Sequence, residues 1–167
     1  MELDDLLSIA PFEWSGLGAA ILCGVIVGLE RQLRGKPVGI RTSSLIVLGT
    51  HLFLASSLVM TNEVTDPSRI IGQIVTGVGF LGAGVMLAKD GMVVGVTSAA
   101  TIWSLAAVGV CISVAGELVA IKLSFLVVLI LYGVDVLEDY SALFTRGAHS
   151  RLSGWRERTR LRSKSED

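Results

Sequence analysis

The residues from Asp66 to Gly84 place polar side chains in a segment that is otherwise apolar and rich in glycine. Projected on a helix at about 100° per residue, the polar side chains share one stripe, which holds Asp66, Arg69, Gln73 and Thr76. Polar residues inside membranes usually face a bundle interior, so this stripe is a candidate polar site at the end of a helix. In the alternative, Asp66 caps the helix, Arg69 pairs with Asp66 or a phospholipid, and Gln73 hydrogen-bonds another helix. The sequence leaves both interpretations open.

The neighbouring stripe of the same helix carries small residues, namely Gly72, Gly79 and Ala83. Gly24 and Gly28 of the first apolar segment are four residues apart, as are Gly79 and Ala83. Small residues at this spacing let two membrane helices approach closely. We therefore predict that these glycines and Ala83 are helix-packing positions.

Further candidates lie in the first two apolar segments and the loop between them. Glu30 and Arg41 flank this basic loop. They either form an ion pair that fixes the first helical hairpin, or they bind a ligand directly. His51, in the middle of the second segment, either relays protons or hydrogen-bonds a neighbouring helix.

The fourth apolar segment has a face of small and hydroxyl-bearing residues that begins at Thr97. This face predicts that the third and fourth helices pack together as a hairpin. A transport lining is the alternative function of the same hydroxyl groups.

Residues suited to metal binding or catalysis are sparse. His51 and His149 are far apart, and the sequence has no phosphate-binding loop, HExxH, Gly-x-Ser-x-Gly or Cys-x-x-Cys motif. We therefore expect no enzyme activity, no cofactor and no transition-metal site. Mg²⁺ prefers carboxylate oxygens and water, so the candidate magnesium ligands are Asp66, Glu63 and Glu30.

The composition predicts the elements that position these residues. The chain has 167 residues, 51% of them hydrophobic, and a mean hydropathy of +0.68, which is typical of an integral membrane protein. A helix needs roughly 20 apolar residues to cross the hydrocarbon core. Suitable segments lie at about 12–29, 42–60, 70–88, 96–115 and 118–136. The sequence therefore predicts an all-α polytopic membrane bundle of about five transmembrane helices, as one domain over residues 1–140.

Basic residues are concentrated in alternate loops and in the C-terminal tail. The loop after the first segment carries Arg31, Arg34, Lys36 and Arg41, and Lys89 follows the third segment. With five spans, these loops and the tail lie on the same side of the membrane. The positive-inside rule then places the N-terminus outside and the C-terminus in the cytoplasm.

Residues 141–167 form this basic tail, in which Leu152, Trp155 and Leu161 are interspersed. Basic residues close to an anionic membrane contribute about 1 kcal/mol each to binding. We expect the tail to bind membrane lipids, and the alternative is a disordered end that only enforces topology. Nucleic-acid binding is not expected.

Five motifs resemble the MgtC/SapB family, in matching order across roughly residues 20–116. They are Gly28-Leu-Glu-Arg-Gln32, Lys36-Pro-Val-Gly-Ile-Arg-Thr42, Asp66-Pro-Ser-Arg69, the run from Gln73 to Gly84, and the run from Gly95 to Trp103. The characteristic polar residues of the family correspond here to Glu30, Arg31, Arg41, Thr42, Asp66, Arg69 and Gln73. Thr97 and Trp103 belong to its later motif.

The resemblance implies a multi-pass protein of the bacterial inner membrane, associated with growth in low magnesium and with survival inside macrophages. Restraint of the ATP synthase is attributed to some family members, which makes that enzyme a candidate partner. The virulence members carry a soluble domain similar to an ACT domain after the last span. Residues 141–167 stand at that position here, so we expect only the membrane domain of the family.

Two functions are compatible with these features. In the first, the protein is a non-enzymatic regulator that acts through helix contacts with a partner or with itself, and the glycine stripes favour a homo-oligomer. In the second, it transports Mg²⁺, another cation or a small solute, with Asp66, Arg69 and Gln73 at an outward-facing opening.

Overall fold

The computed structural model describes residues 8–60, 66–89 and 92–140. These residues form α1 (Trp14–Leu33), α2 (Ile40–Met60), α3 (Pro67–Gly84), β1 (Leu87–Lys89), β2 (Met92–Val94), α4 (Val96–Ala115) and α5 (Glu117–Tyr140). The predicted basic tail and Glu63 lie outside the described residues.

The predicted all-α membrane architecture is confirmed. Among the described residues, α1, α2, α4 and α5 are long and apolar enough to cross a membrane. Helix α3 has 18 residues, a length of about 27 Å, and it includes Arg69 and Gln73, which make it less apolar than the others. The orientation inferred from the basic loops stays a prediction.

Helix α3 is shifted from the predicted apolar span of residues 70–88, but it matches the segment 66–84 that was projected on a helix. It begins at Pro67, because Asp66 caps it, and it ends at Gly84. The chain then forms a short antiparallel hairpin in which Leu87 lies opposite Val94. Gly95 follows this hairpin with a φ of +92°, and a side chain there would overlap the Val85 carbonyl. This turn therefore requires glycine.

The chain divides into two compact units after Val128. In the first unit, α1, α2 and α4 pack around a buried core, and α3 packs against α4 and α2. The fully buried core side chains include Cys23, Val27, Val47, Leu54, Ile102 and Leu105. In the second unit, the described residues are the end of α5, where Leu129, Ile130 and Leu137 are exposed.

Glycine permits the close approach of α1 to α2. A Cβ on Gly28 would lie 2.5 Å from the Ile40 Cα, and a Cβ on Gly24 would overlap the Ser44 backbone. Gly109 of α4 has a comparable position, since its Cβ would lie 2.7 Å from the Val47 carbonyl oxygen. The two predicted glycines of α1 therefore face α2, whereas Gly109 was not predicted.

The predicted packing residues of α3 have a different environment. A Cβ on Gly72 or Gly79 would meet no atom within 4 Å among the described residues, and Ala83 is exposed. Gly82 faces α4 instead, where its Cβ would lie 3.6 Å from the Ala99 carbonyl oxygen. The predicted α3–α4 hairpin thus forms through Gly82. Packing through Gly72, Gly79 and Ala83 stays a prediction that concerns a second molecule.

Candidate functional site

A cluster of buried charges lies at the end of α1. The Arg34 Nε is 2.9 Å from the Glu30 Oε1, and the Arg31 Nη1 is 3.8 Å from the Glu30 Oε2. The Arg31 Nη2 donates a hydrogen bond of 3.2 Å to the Ser98 Oγ of α4. The side chains of Glu30 and Arg31 are only 7% and 3% exposed. This charge cluster, Glu30–Arg31–Arg34–Ser98, therefore links α1 to the start of α4.

Ionic attraction dominates within the charge cluster. Neither carboxylate oxygen of Glu30, nor the Arg31 Nε, has a hydrogen bond of good geometry among the described residues, although all three atoms are buried. A buried charge without its counter-charge is costly, so the nearby guanidinium groups stabilise the Glu30 carboxylate in its buried position.

Glu30 pairs with Arg34 rather than with Arg41, so the predicted ion pair across the loop is wrong. Arg34 lies four residues after Glu30 on the same helix, which is the ideal spacing for an ion pair within a helix. That spacing could have identified Arg34 from the sequence. Ser98 could not be found in this way, because its contact with Arg31 depends on how α1 and α4 pack.

Arg41, Thr42 and Gln73 line a different feature of the fold. They line an open groove between α2 and α3, with a cavity volume of about 890 Å³. Arg41 and Thr42 lie in the first turn of α2, and Gln73 lies in α3. All three residues are exposed. The other side chains along this α2–α3 groove are mostly apolar, and they include Phe53 and Leu81.

Asp66 acts as the N-cap of α3. Its Oδ1 accepts a hydrogen bond of 2.9 Å from the Ser68 backbone N–H, and its Oδ2 accepts one of 2.7 Å from the Ser68 hydroxyl. Both carboxylate oxygens therefore accept hydrogen bonds within the same turn. This geometry agrees with the interpretation of Asp66 as a helix cap. The neighbouring Arg69 is exposed.

The hydrogen bonds from Ser68 also lower the pKa of Asp66 from its ordinary value, and the positive charge of Arg69 adds a smaller contribution. Because the folded pKa is depressed, the cap is fully ionised at neutral pH. Its contribution to stability is lost only as the pH falls through that depressed pKa.

The contacts of His51 and Thr97 are hydrogen bonds between or within helices. The His51 Nδ1 lies 2.8 Å from the Ser113 Oγ of α4, which agrees with a hydrogen bond to a neighbouring helix. The Thr97 side chain is exposed, and its carbonyl oxygen accepts a hydrogen bond of 2.8 Å from the Thr101 Oγ1. The Ser104 hydroxyl likewise bonds the Ala100 carbonyl at 2.9 Å. These two α4 hydroxyls thus bond their own helix.

The candidate residues form three separate groups. Glu30 and Arg31 belong to the charge cluster, the α2–α3 groove contains Arg41, Thr42 and Gln73, and Asp66 caps α3 beside Arg69. Within residues 8–60, 66–89 and 92–140, no group of three or more His, Cys, Asp or Glu side chains is arranged to hold a metal ion.

Comparisons with known proteins agree on one family. The model of the MgtC family matches residues 17–140. The chain is 50% identical over 101 residues to "Putative magnesium transporter YhiD" of Escherichia coli, a match that covers 56% of this chain and 46% of that protein. It is 46% identical over 92 residues to "Protein MgtC" of Salmonella typhimurium, covering 55% of this chain and 39% of that relative. The matches thus span less than half of each relative. No solved structure matches the chain significantly.

Proposed function

This chain belongs to the MgtC family, and we propose that it is a non-enzymatic regulator in the bacterial inner membrane that acts through helix contacts. We further propose that it serves adaptation to low magnesium and intracellular survival, as the family resemblance implies. The regulatory contact in this proposal is made by the outer face of α3.

The observation that carries the proposal is the unpacked face of α3. Of the α3 residues whose side chains are described, only Val78 and Gly82 are buried. A Cβ on Gly72 or Gly79 would meet no atom of the described residues within 4 Å, and Phe80 is 83% exposed. Glycines on an exposed membrane helix allow another helix to approach its backbone closely. This outer α3 face is therefore suited to contact with a second membrane helix.

The existing contacts of the Glu30 and Asp66 carboxylates also favour a regulatory role over a bound Mg²⁺ ion. Glu30 is paired with arginine, and both Asp66 oxygens bond Ser68. A Mg²⁺ ion would have to compete with these contacts for its oxygen ligands. A second copy of the chain is the partner that we propose first, and a membrane protein such as the ATP synthase is the alternative.

Replacement of Gly79 tests the regulatory proposal in cells. Gly79→Leu should abolish the growth advantage that the wild-type chain gives in low magnesium, because the larger side chain prevents close contact at the outer α3 face. Gly18→Leu is the matched control, since Gly18 is also an exposed helical glycine with open space around it. Normal growth of the Gly79→Leu strain at equal protein levels would show that the outer α3 face does not make the regulatory contact.

Transport is the second candidate function, and two observations favour it. The Escherichia coli relative carries the name "Putative magnesium transporter YhiD". In addition, Gln73 and Arg41 line a groove that runs beside the less apolar helix α3. Transport would place the polar residues of α3 on the path of the solute.

The Asp66→Asn variant distinguishes a role of Asp66 in transport from its role as the cap of α3. Asparagine caps helices about as well as aspartate, so this variant keeps the α3 N-terminus while removing its charge. If transport is the function, Asp66→Asn should lower Mg²⁺ flux in proteoliposomes that contain the full chain. The regulatory proposal instead predicts that neither the wild-type chain nor the Asp66→Asn variant gives a Mg²⁺ flux above that of empty liposomes. A wild-type flux that Asp66→Asn abolishes would contradict the regulatory proposal.

A further inference from the structure

The α2–α3 groove has two chemically distinct parts. Most of its length is apolar, and exposed side chains such as Phe53, Met60 and Leu81 form its edges. Gly77 leaves room in its wall, because a Cβ at this position would meet no atom within 4 Å among the described residues. An open apolar groove between two membrane helices is contacted by lipid hydrocarbon, so a flexible acyl chain fits its shape and chemistry.

The basic end of the same groove provides the polar contact. Arg41 is the only charged residue among the described residues that line the groove, and it lies beside Thr42 in the first turn of α2. Arg41 is exposed and makes no ion pair with any other described residue. The backbone N–H groups at a helix N-terminus and an arginine side chain both favour an anion, in particular a phosphate.

The positive charge at one end of the α2–α3 groove and the length of the groove both fit the same kind of ligand. The loop that precedes α2 adds Lys36 to the positive charge at this end, whereas Arg34 is paired with Glu30. Helix α2 has 21 residues and is about 31 Å long, so the groove beside it extends through the hydrocarbon thickness of about 30 Å. A molecule with an anionic head at Arg41 and a hydrocarbon chain along the groove matches both parts.

We propose that the α2–α3 groove is a binding site for an anionic phospholipid. The headgroup phosphate contacts Arg41 and Thr42, and one acyl chain lies along Phe53 and Gly77. A zwitterionic lipid fills the apolar part equally well but gains less from Arg41, because its headgroup carries no net charge. The site therefore selects the lipid by its headgroup and retains it by its chain.

Native mass spectrometry of the full chain in detergent tests this site. Phosphatidylglycerol and phosphatidylethanolamine with identical acyl chains would be added at equal concentrations. The wild-type chain should retain phosphatidylglycerol preferentially. Arg41→Gln should lower that preference about fivefold, the factor that corresponds to about 1 kcal/mol per basic residue near anionic lipid. Lys122→Gln, which removes an exposed charge of α5 outside the groove, should leave the preference unchanged.

The apolar part is tested with a second pair of variants. Gly77→Leu should reduce the binding of both lipids because it fills the groove. Gly18→Leu should not, since Gly18 lies in α1 and does not line the groove. Circular dichroism would verify that each variant is folded. Equal effects of Arg41→Gln and Lys122→Gln on the lipid preference, or undiminished lipid binding by Gly77→Leu, would overturn the proposal. Displacement of the lipid by free glycerol phosphate would also overturn it, because the headgroup alone would then suffice.

Discussion

At the scale of single residues, the charge cluster shows what local spacing can and cannot predict. Glu30 was a candidate from its position at the end of an apolar segment, and its partner Arg34 follows from four-residue spacing on one helix. The contact of Arg31 with Ser98 joins residues 67 positions apart, so it depends on the packing of α1 against α4. Asp66 was predictable as a cap, because Pro67 and Ser68 follow it in the sequence.

Loss of the Glu30 charge should destabilise the protein. Glu30→Gln leaves two guanidinium groups without their counter-charge, and we expect a loss of about 2–3 kcal/mol in the free energy of unfolding. This value lies below the roughly 3–5 kcal/mol of a fully buried pair, because Arg34 is partly exposed and solvent screens it. Unfolding of the purified chain in mixed micelles measures this change.

Glu13→Gln is the control for this substitution, since Glu13 is exposed at the start of α1. Equal stabilities of the Glu30→Gln and Glu13→Gln variants would show that the charge cluster does not stabilise the fold.

At the scale of elements, apolar length predicted the helices well where the turns between them are short. The fourth predicted segment, 96–115, coincides with α4, and Gly116 alone separates α4 from α5. The third segment was misplaced because the apolar residues Leu87 and Ala88 continue the hydropathy pattern but belong to β1. Hydropathy alone does not distinguish the end of an apolar helix from a short apolar strand.

The α1–α2 crossing should be intolerant of larger side chains. Gly28→Leu would force the Ile40 backbone away from α1, and we expect a destabilisation of about 3 kcal/mol, at the upper end for overpacked sites. Gly18→Leu, in the open part of the same helix, should change the stability by less than about 0.5 kcal/mol. Thermal unfolding in micelles compares the two variants, and similar midpoints would contradict the close crossing.

At the scale of the whole molecule, the two faces of α3 have different proposed partners. The α2–α3 groove accommodates an acyl chain beside Gly77, and the outer α3 face carries Gly72 and Gly79 in open space. The sequence predicted the small-residue stripe, but it could not show that α4 is contacted through Gly82 instead. Glycine spacing identifies a helix that can pack closely and leaves open which neighbour it contacts.

Self-association of the full chain in liposomes tests the central claim most directly. Förster transfer between labelled copies, measured over a range of protein-to-lipid ratios, gives the association constant. We predict that the wild-type chain associates and that Gly79→Leu, which prevents close helix approach, weakens association about tenfold, a change of about 1.4 kcal/mol. Gly18→Leu should associate like the wild type. A monomeric wild-type chain, or equal association of the wild-type and Gly79→Leu chains, would contradict the account.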